Sequence, residues 1–209
     1  QDIVLASDTI IGENGLFTDI DYVAVYFWIY LSTLEGDAET LPATSDSIFN
    51  LLRNYTGLSY DTGFFQAYLN TEIENLSEQF SNFGIALATD SLSGQPLSND
   101  LFDTPIPSDI PLTDTVSMGN NFSLRFKQFS TFIDVPAIVV SVSDLPEASS
   151  IQVQVSGNEL TYQVVTSDAP VVLCKEDDEM LLNSVVSRAY SESMDADTVF
   201  DIIYTPLED

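Results

Sequence analysis

The fold of this chain is set above all by residues 151–164, IQVQVSGNELTYQV. Apolar and polar side chains alternate on both sides of the tetrapeptide at 156–159, and its Ser, Gly and Asn are typical of a tight turn. The stretch therefore predicts a β-hairpin. One face of the hairpin carries only uncharged polar groups, which we expect to form either a contact surface or a solvated face: Gln152, Gln154, Thr161 and Gln163.

Further strands are predicted on both sides of the hairpin. Residues 122–126 alternate between apolar and polar, whereas residues 137–142 and 171–174 are apolar runs of the kind found in buried strands. Residues 199–204 predict a closing strand. The C-terminal half of the chain is therefore expected to be rich in β-structure.

The first 35 residues are also expected to contribute strands to the sheet. Residues 3–11 predict short extended pieces. The run YVAVYFWIYL at residues 22–31 is dense in β-branched and aromatic residues. This composition favours a strand that is covered on both faces, and a helix that is buried all round is the alternative.

Three helices are predicted, at about residues 45–55, 62–83 and 177–190. In the first, apolar residues recur at helical spacing after a Ser-Asp start. The third begins with two aspartates and ends near Arg188, an arrangement that complements the helix dipole.

The second predicted helix has the longest apolar stripe. Between Phe65 and Phe83 the apolar residues recur every three or four positions. We expect this stripe to pack on the protein's own sheet, and a coiled coil with a partner helix is the alternative. Gly84 is expected to end the helix.

These elements predict an α+β fold, with a mainly antiparallel β-sheet or sandwich and about three packed helices. Residues 1–90 are expected to be a mixed strand and helix region. Residues 91–115 contain four prolines and predict an extended arm or a linker. Residues 116–209 predict a β-rich region with one helix, which stands alone or forms one domain with the first region.

The chain of 209 residues has a formal net charge of −28, because it carries 33 carboxylates against five basic side chains. Nucleic-acid binding is not expected, since a binder needs Lys and Arg to displace counterions from phosphates. No apolar run reaches the roughly 20 residues that span a bilayer, so no membrane insertion is expected. Scarce lysine and an excess of aspartate over glutamate indicate a halophilic or marine host. An acidic secreted or virion protein from an ordinary host is the alternative.

The absence of histidine excludes a Ser-His-Asp device and histidine-ligated metals. Catalysis by a pair of carboxylates, as in glycoside hydrolysis, is still an available mechanism, but with 33 acidic residues the sequence singles out no particular pair. No catalytic and no cofactor-binding residue is therefore predicted. The one cysteine, Cys174, lies in an apolar run and is expected to be a buried, inert thiol.

Three short acidic motifs place oxygen ligands close together, as Ca²⁺ prefers. None extends to a complete calcium-binding loop, and solvated acidic turns are the alternative. Monovalent ions or calcium are thus the ligands that these motifs suggest. The candidate metal ligands are Asp19, Asp21, Asp177, Asp178, Asp195 and Asp197.

The acidic exterior, the apolar content of 44% and the proline-rich segment predict a non-enzymatic structural subunit of an assembly. We expect a virion protein (capsid, decoration, tail or connector) of a halophilic or marine host. Its expected partners are copies of itself or other subunits, in a virion or at an extracellular or cell surface. The alternatives are a cell-surface or secreted binding module for glycans or cations, and then a carboxylate-pair hydrolase.

Overall fold

Two β-sheets packed face to face form most of the described part of the chain in a computed structural model. The structure describes residues 2–4, 26–27, 29–31, 75–89, 91, 105–118, 122–132, 136–156, 161–175, 179–189 and 198–207.

Six strands form the first sheet: β1 (Asp2–Val4), β2 (Ile106–Pro107), β4 (Ser123–Phe132), β6 (Ser149–Ser156), β7 (Gln163–Val165) and β9 (Glu179–Arg188). Their order is β1-β4-β9-β6-β7, and β2 also pairs with β4. The pairing of β2 with β4 is parallel, and the other pairings in this sheet are antiparallel.

Four strands form the second sheet: β3 (Leu112–Met118), β5 (Ala137–Val142), β8 (Val171–Cys174) and β10 (Thr198–Pro206). Their order is β3-β10-β5-β8, with every pairing antiparallel. The expectation of mainly antiparallel sheets is therefore confirmed, and the predicted closing strand lies inside a sheet.

The interior between the two sheets consists mainly of β-branched and aromatic side chains. Because successive side chains point to opposite faces of a strand, each strand contributes every second residue to this interior. From β10 these are Phe200, Ile202 and Tyr204, and from β9 they include Leu182 and Val186. All five side chains are buried. Burying an aliphatic side chain of this size contributes roughly 1.5–3 kcal/mol.

The other face of the first sheet is covered by the helix α1 (Leu76–Ala88), which packs on β9 and β6. Leu76, Phe80 and Phe83 lie on one side of α1 and are buried. The predicted apolar stripe and its packing on the protein's own sheet are thus confirmed in the described part of this helix. The centre of the first sheet is consequently buried on both faces.

Aromatic rings fill the space beside α1. The ring of Phe27 lies 5.5 Å from that of Phe80 and 5.2 Å from that of Phe83, measured between centroids. Phe122, just before β4, places its ring 5.3 Å from Phe80 in an edge-to-face arrangement. The backbone of Phe122 has a φ of 58°, a region that bulky residues rarely adopt. Burial of its ring has to offset that strain.

An ion cluster lies between the two sheets. Asp114 of β3 points inward, and its side chain is 3% exposed. Its Oδ1 atom accepts hydrogen bonds from Lys127 Nζ at 2.6 Å and from Arg125 Nη2 at 3.1 Å. Its Oδ2 atom accepts one from Arg125 Nη1 at 3.3 Å. Both cations come from β4, so this Asp114 ion cluster joins the edge of the second sheet to the first sheet.

The predicted α+β fold with about three helices is wrong, because residues 179–188 form β9 and not part of a helix at 177–190. β9 is covered on both faces. Leu181 and Val185 therefore point towards α1, while Leu182 and Val186 point towards the second sheet. Two adjacent apolar pairs spaced by four residues resemble the pattern of a helix, and this resemblance explains the error.

The second predicted helix differs at its C-terminal end. α1 continues to Ala88, past Gly84, so Gly84 does not end it. A Cβ atom built on Gly84 would lie 2.9 Å from Leu124 Cδ2 and 3.2 Å from Val185 Cγ1. The glycine is therefore needed for the close approach of α1 to the sheet. The predicted helix at 45–55 and residues 62–74 lie outside the described residues.

The predicted strand at residues 22–31 is wrong where the chain is described, because residues 26–27 and 29–31 are helical. Phe27, Tyr30 and Leu31 are three and four residues apart and are all buried. A continuous apolar run fits both a two-faced buried strand and a buried helix, so composition alone could not separate the two.

The predicted hairpin is confirmed in its strand pairing, since β6 and β7 are antiparallel with Val153 opposite Gln163. The turn at 157–160 lies outside the described residues. The predicted amide face is wrong. The register places Gln163 on the same face as Val153, whereas Gln152 and Gln154 lie on the α1 face and are buried.

The division into residues 1–90, 91–115 and 116–209 stays a prediction. β1 pairs with β4, and β2 pairs with β4 as well. The described end of the proline-rich segment therefore contributes to both sheets, since β3 begins at Leu112.

Gly84→Val is expected to lower the free energy of unfolding by about 2 kcal/mol, because overpacking would force α1 away from β4 and β9. Urea unfolding measures this change. Asn82→Val, on the exposed side of the same helix, is the matched control and should change stability by less than about 1 kcal/mol. Equal losses in the two variants would contradict close packing at Gly84.

Asp114→Asn is expected to destabilise the protein by roughly 3–5 kcal/mol, because removing one member of a buried ion pair leaves the remaining charges without compensation. Asp201→Asn is the control, since Asp201 is half-buried and accepts a hydrogen bond from Thr115 Oγ1 at 2.7 Å. It should cost less than about 1 kcal/mol. Thermal unfolding of both variants measures the difference, and similar melting temperatures would rule out a stabilising role for the cluster.

Candidate interaction surface

The second sheet has one face towards the interior and one face towards solvent. The solvent-facing side, here called the outer face, is formed by alternate residues of its four strands. Along β3, β8 and β10, exposed or half-buried residues on this face alternate with buried residues that point into the interior. The outer face comprises Thr113, Thr115, Ser117, Val139, Ser141, Val172, Cys174, Val199, Asp201, Ile203 and Thr205.

The outer face is apolar at several positions that water reaches. Val199 is 63% exposed and Val172 is 45% exposed. Val139 and Ile203, on the two central strands, are half-buried. Threonine and serine occupy most of the other positions, so the surface consists mainly of methyl and hydroxyl groups.

The outer face is also nearly free of charge. Asp201 is the one charged side chain among its residues. The ten described strands together contain only four of the 33 carboxylates of the chain, namely Asp2, Asp114, Glu179 and Asp201. Most of the negative charge thus lies outside these strands, and a solvent-facing sheet surface is left with a single carboxylate.

Three basic side chains are buried or half-buried. Arg125 and Lys127 belong to the Asp114 ion cluster and are half-buried, and Arg188 is buried at the end of β9. Three of the five basic residues are therefore poorly placed to offset the carboxylates at the surface. The contrast between the nearly uncharged outer face and the remaining surface is larger than the net charge alone indicates.

Cys174 is exposed, so the prediction of a buried, inert thiol is wrong. In β8, Val171 and Leu173 point inward while Val172 and Cys174 point outward. An uninterrupted apolar run therefore does not imply burial on both faces. β8 also contains no charged residue, although it is an edge strand and no described strand pairs with its free side. Edge strands usually carry charge that discourages pairing with another chain.

The six predicted cation ligands all lie outside the described residues, so they stay predictions: Asp19, Asp21, Asp177, Asp178, Asp195 and Asp197. In the described part of the chain, no three acidic or cysteine side chains form a group that could hold a metal ion. Among the same residues, no helix has the length and apolarity needed to cross a membrane.

The fold defines a two-sheet β-protein in which a helix covers one sheet, while the other sheet presents a face with a single carboxylate that no described element covers. No protein-family model matches the chain, and no curated protein is significantly similar to it in sequence.

Sequence reasoning missed the outer face. Its signal lay in the alternation of β3 and β10, where hydroxyl and apolar residues take every second position and carboxylates are almost absent. The pattern in the separate strands does not show that these residues form one surface. The strand order shows it, because β3 and β5 both flank β10, which is distant from them in the chain.

Cys174 is expected to react with a water-soluble maleimide in the folded protein at low salt, because its side chain faces solvent. The matched control is a Cys174→Ser, Leu173→Cys double variant, in which the thiol points into the interior at a position that is 2% exposed. Labelling of this variant should be at least about tenfold slower, since a buried thiol reacts only when the fold opens. Comparable rates in the two proteins, followed by mass spectrometry, would contradict the assigned orientation of β8.

Proposed function

We propose that this protein is a non-enzymatic structural subunit that assembles through the outer face, as a virion protein of a halophilic or marine host. The observation that carries the proposal is a solvent-facing sheet surface with one carboxylate on a chain of net charge −28. A surface of this kind is where a strongly acidic protein can approach another acidic protein with the least repulsion.

Two forces act on such an association. Burial of Val172, Val199 and their neighbours favours it, because apolar area is removed from water. Repulsion between the acidic remainders of the subunits opposes it. This repulsion weakens as the Debye length falls from about 8 Å at physiological ionic strength to about 3 Å at 1 M salt. Association through the outer face should therefore strengthen as salt concentration rises.

The size of the outer face limits its strength. Four strands spaced about 4.8 Å apart, with about seven residues each, cover roughly 450 Å². A standard stable interface buries about 800 Å² on each partner. Contact through the outer face alone is therefore expected to be weak and reversible. A tight complex requires the contact to continue beyond this sheet.

The proposal predicts that the molar mass in solution rises with NaCl concentration. Val199→Asp and Val172→Asp should abolish this rise, because each places a second carboxylate on the outer face. Asn82→Asp adds the same charge on the exposed side of α1 and should behave like the unaltered protein. Light scattering across a salt series measures the mass, and the thermal unfolding of each variant verifies its fold.

A monodisperse monomer at every salt concentration would contradict the proposal. So would a salt-dependent assembly that all three variants retain equally, because that assembly would use another surface. Protection of the Cys174 thiol from maleimide in the assembled state gives an independent reading of whether the outer face is the surface that becomes covered.

A further inference from the structure

The edge strand β8 presents backbone hydrogen-bonding groups on its free side, and the direction of each group follows from the pairing with β5. Lys175 N donates to Pro136 O at 2.8 Å, in continuation of the β5 ladder. In an antiparallel strand, the N–H and C=O groups of one residue point to the same side, and the side alternates along the strand. Those of Leu173 therefore point towards β5, whereas those of Val172 and Cys174 point away from the sheet.

The free side of β8 is open to solvent. Val172 is 45% exposed, and Cys174 is exposed as well. β7, the edge strand of the first sheet, contacts β8, so the two edges lie on the same side of the sandwich. Neither strand contains a charged residue, and no described strand pairs with the free side of either.

The opposite edges of the two sheets carry features that discourage pairing with another chain. β3 has the inward-pointing Asp114, β2 contains Pro107, and β1 contains Asp2. Inward-pointing charge, proline and charged side chains are the devices by which edge strands usually avoid association. β8 has none of the three within the strand, so it is the edge at which another strand meets the least opposition.

A second copy of β8 fits this edge. A twofold axis perpendicular to the sheet makes the two strands antiparallel and places inward-facing residues beside inward-facing residues. With Leu173 of both copies at the axis, Val172 of each copy lies opposite Cys174 of the other. All the outward-pointing N–H and C=O groups of the two strands then pair. A shift of two residues brings Pro170, which lacks an N–H, or Glu176 into the ladder.

We propose that two copies of this chain pair through their β8 edges in this register and form a twofold dimer. The pairing joins the outer faces of the two copies side by side into one surface of roughly 900 Å². This area exceeds the 800 Å² or so that a standard stable interface buries on each partner, whereas the outer face of one copy does not reach it. The dimer is thus the unit that presents an outer face of sufficient size.

Edge pairing is independent of association through the outer face, because it uses backbone groups and no outer-face burial. The test therefore uses Val199→Asp, in which association through the outer face is expected to be absent, at a fixed physiological salt concentration. Sedimentation over a series of protein concentrations should show a reversible equilibrium between monomer and dimer. The rise of mass with NaCl in the unaltered protein reports on the outer face, so the failure of either proposal is recognised without the other.

Val172→Pro, added to Val199→Asp, should weaken the dimer at least about tenfold, because it removes an outward-pointing donor from each copy. The ladder with β5 should persist, since proline is tolerated where the N–H faces away from the sheet. Val172→Thr is the matched control. It keeps the N–H and a β-branched side chain, and should dimerise like Val199→Asp alone. Thermal unfolding of each variant verifies its fold.

Disulfide formation tests the register and does not depend on the proline variant. Val199→Asp is mixed with a protein that carries Val199→Asp, Val172→Cys and Cys174→Ser. In a mixed dimer the two thiols are directly opposite, with Cα atoms about 5.5 Å apart, which suits a disulfide. In a dimer of either protein alone the thiols are offset by two residues and lie about 9 Å apart, which is too far. A mild oxidant should therefore link mixed dimers preferentially.

Three outcomes would overturn the proposal. The first is a monomer at every protein concentration in Val199→Asp. The second is equal dimerisation of folded Val172→Pro and Val172→Thr, which would place the contact away from the β8 backbone. The third is disulfide formation at the same rate in the mixed and the unmixed samples, which would contradict the register with Leu173 at the axis.

Discussion

The exclusion of carboxylates from the two sheets governs how so acidic a chain can fold. A carboxylate that enters an apolar interior loses its hydration, and it is tolerated only where cations and hydrogen bonds replace the water. Asp114 meets that condition through Arg125 and Lys127. The apolar interior between the sheets can form in a chain of net charge −28 because the acidic residues lie mainly outside the described strands.

The same constraint leaves one sheet surface nearly free of charge. On the second sheet, strands poor in carboxylates leave an outer face made mainly of valine, threonine and serine. On the first sheet, the polar side chains of the α1 face are also uncharged, and three of them are buried: Gln152, Gln154 and Asn183.

Strand patterns were predictable where one face of a strand is buried and the other is not, as in β10. They failed where both faces are buried. In β9, Leu181 and Leu182 point to opposite faces, and so do Val185 and Val186. Because both faces carry apolar residues, the alternation typical of a strand is lost. The spacing of four residues between the two apolar pairs then resembles a helix. Around Phe27 the error was the reverse, since a strand was predicted and the chain is helical. Aromatic rings pack against this helix, and its sequence has no polar side that would mark a helical period.

Composition and local pattern were enough to establish the acidity, the exclusion of histidine chemistry, the antiparallel pairing of β6 with β7 and the apolar stripe of α1. These properties depend on residue content or on contacts between residues close in the chain. The packing of distant elements was needed to establish that β9 is a strand, that Gln154 is buried, that Cys174 is exposed, and that the outer face is continuous. Each of these depends on which distant strand or helix covers a given face, and local periodicity does not determine that.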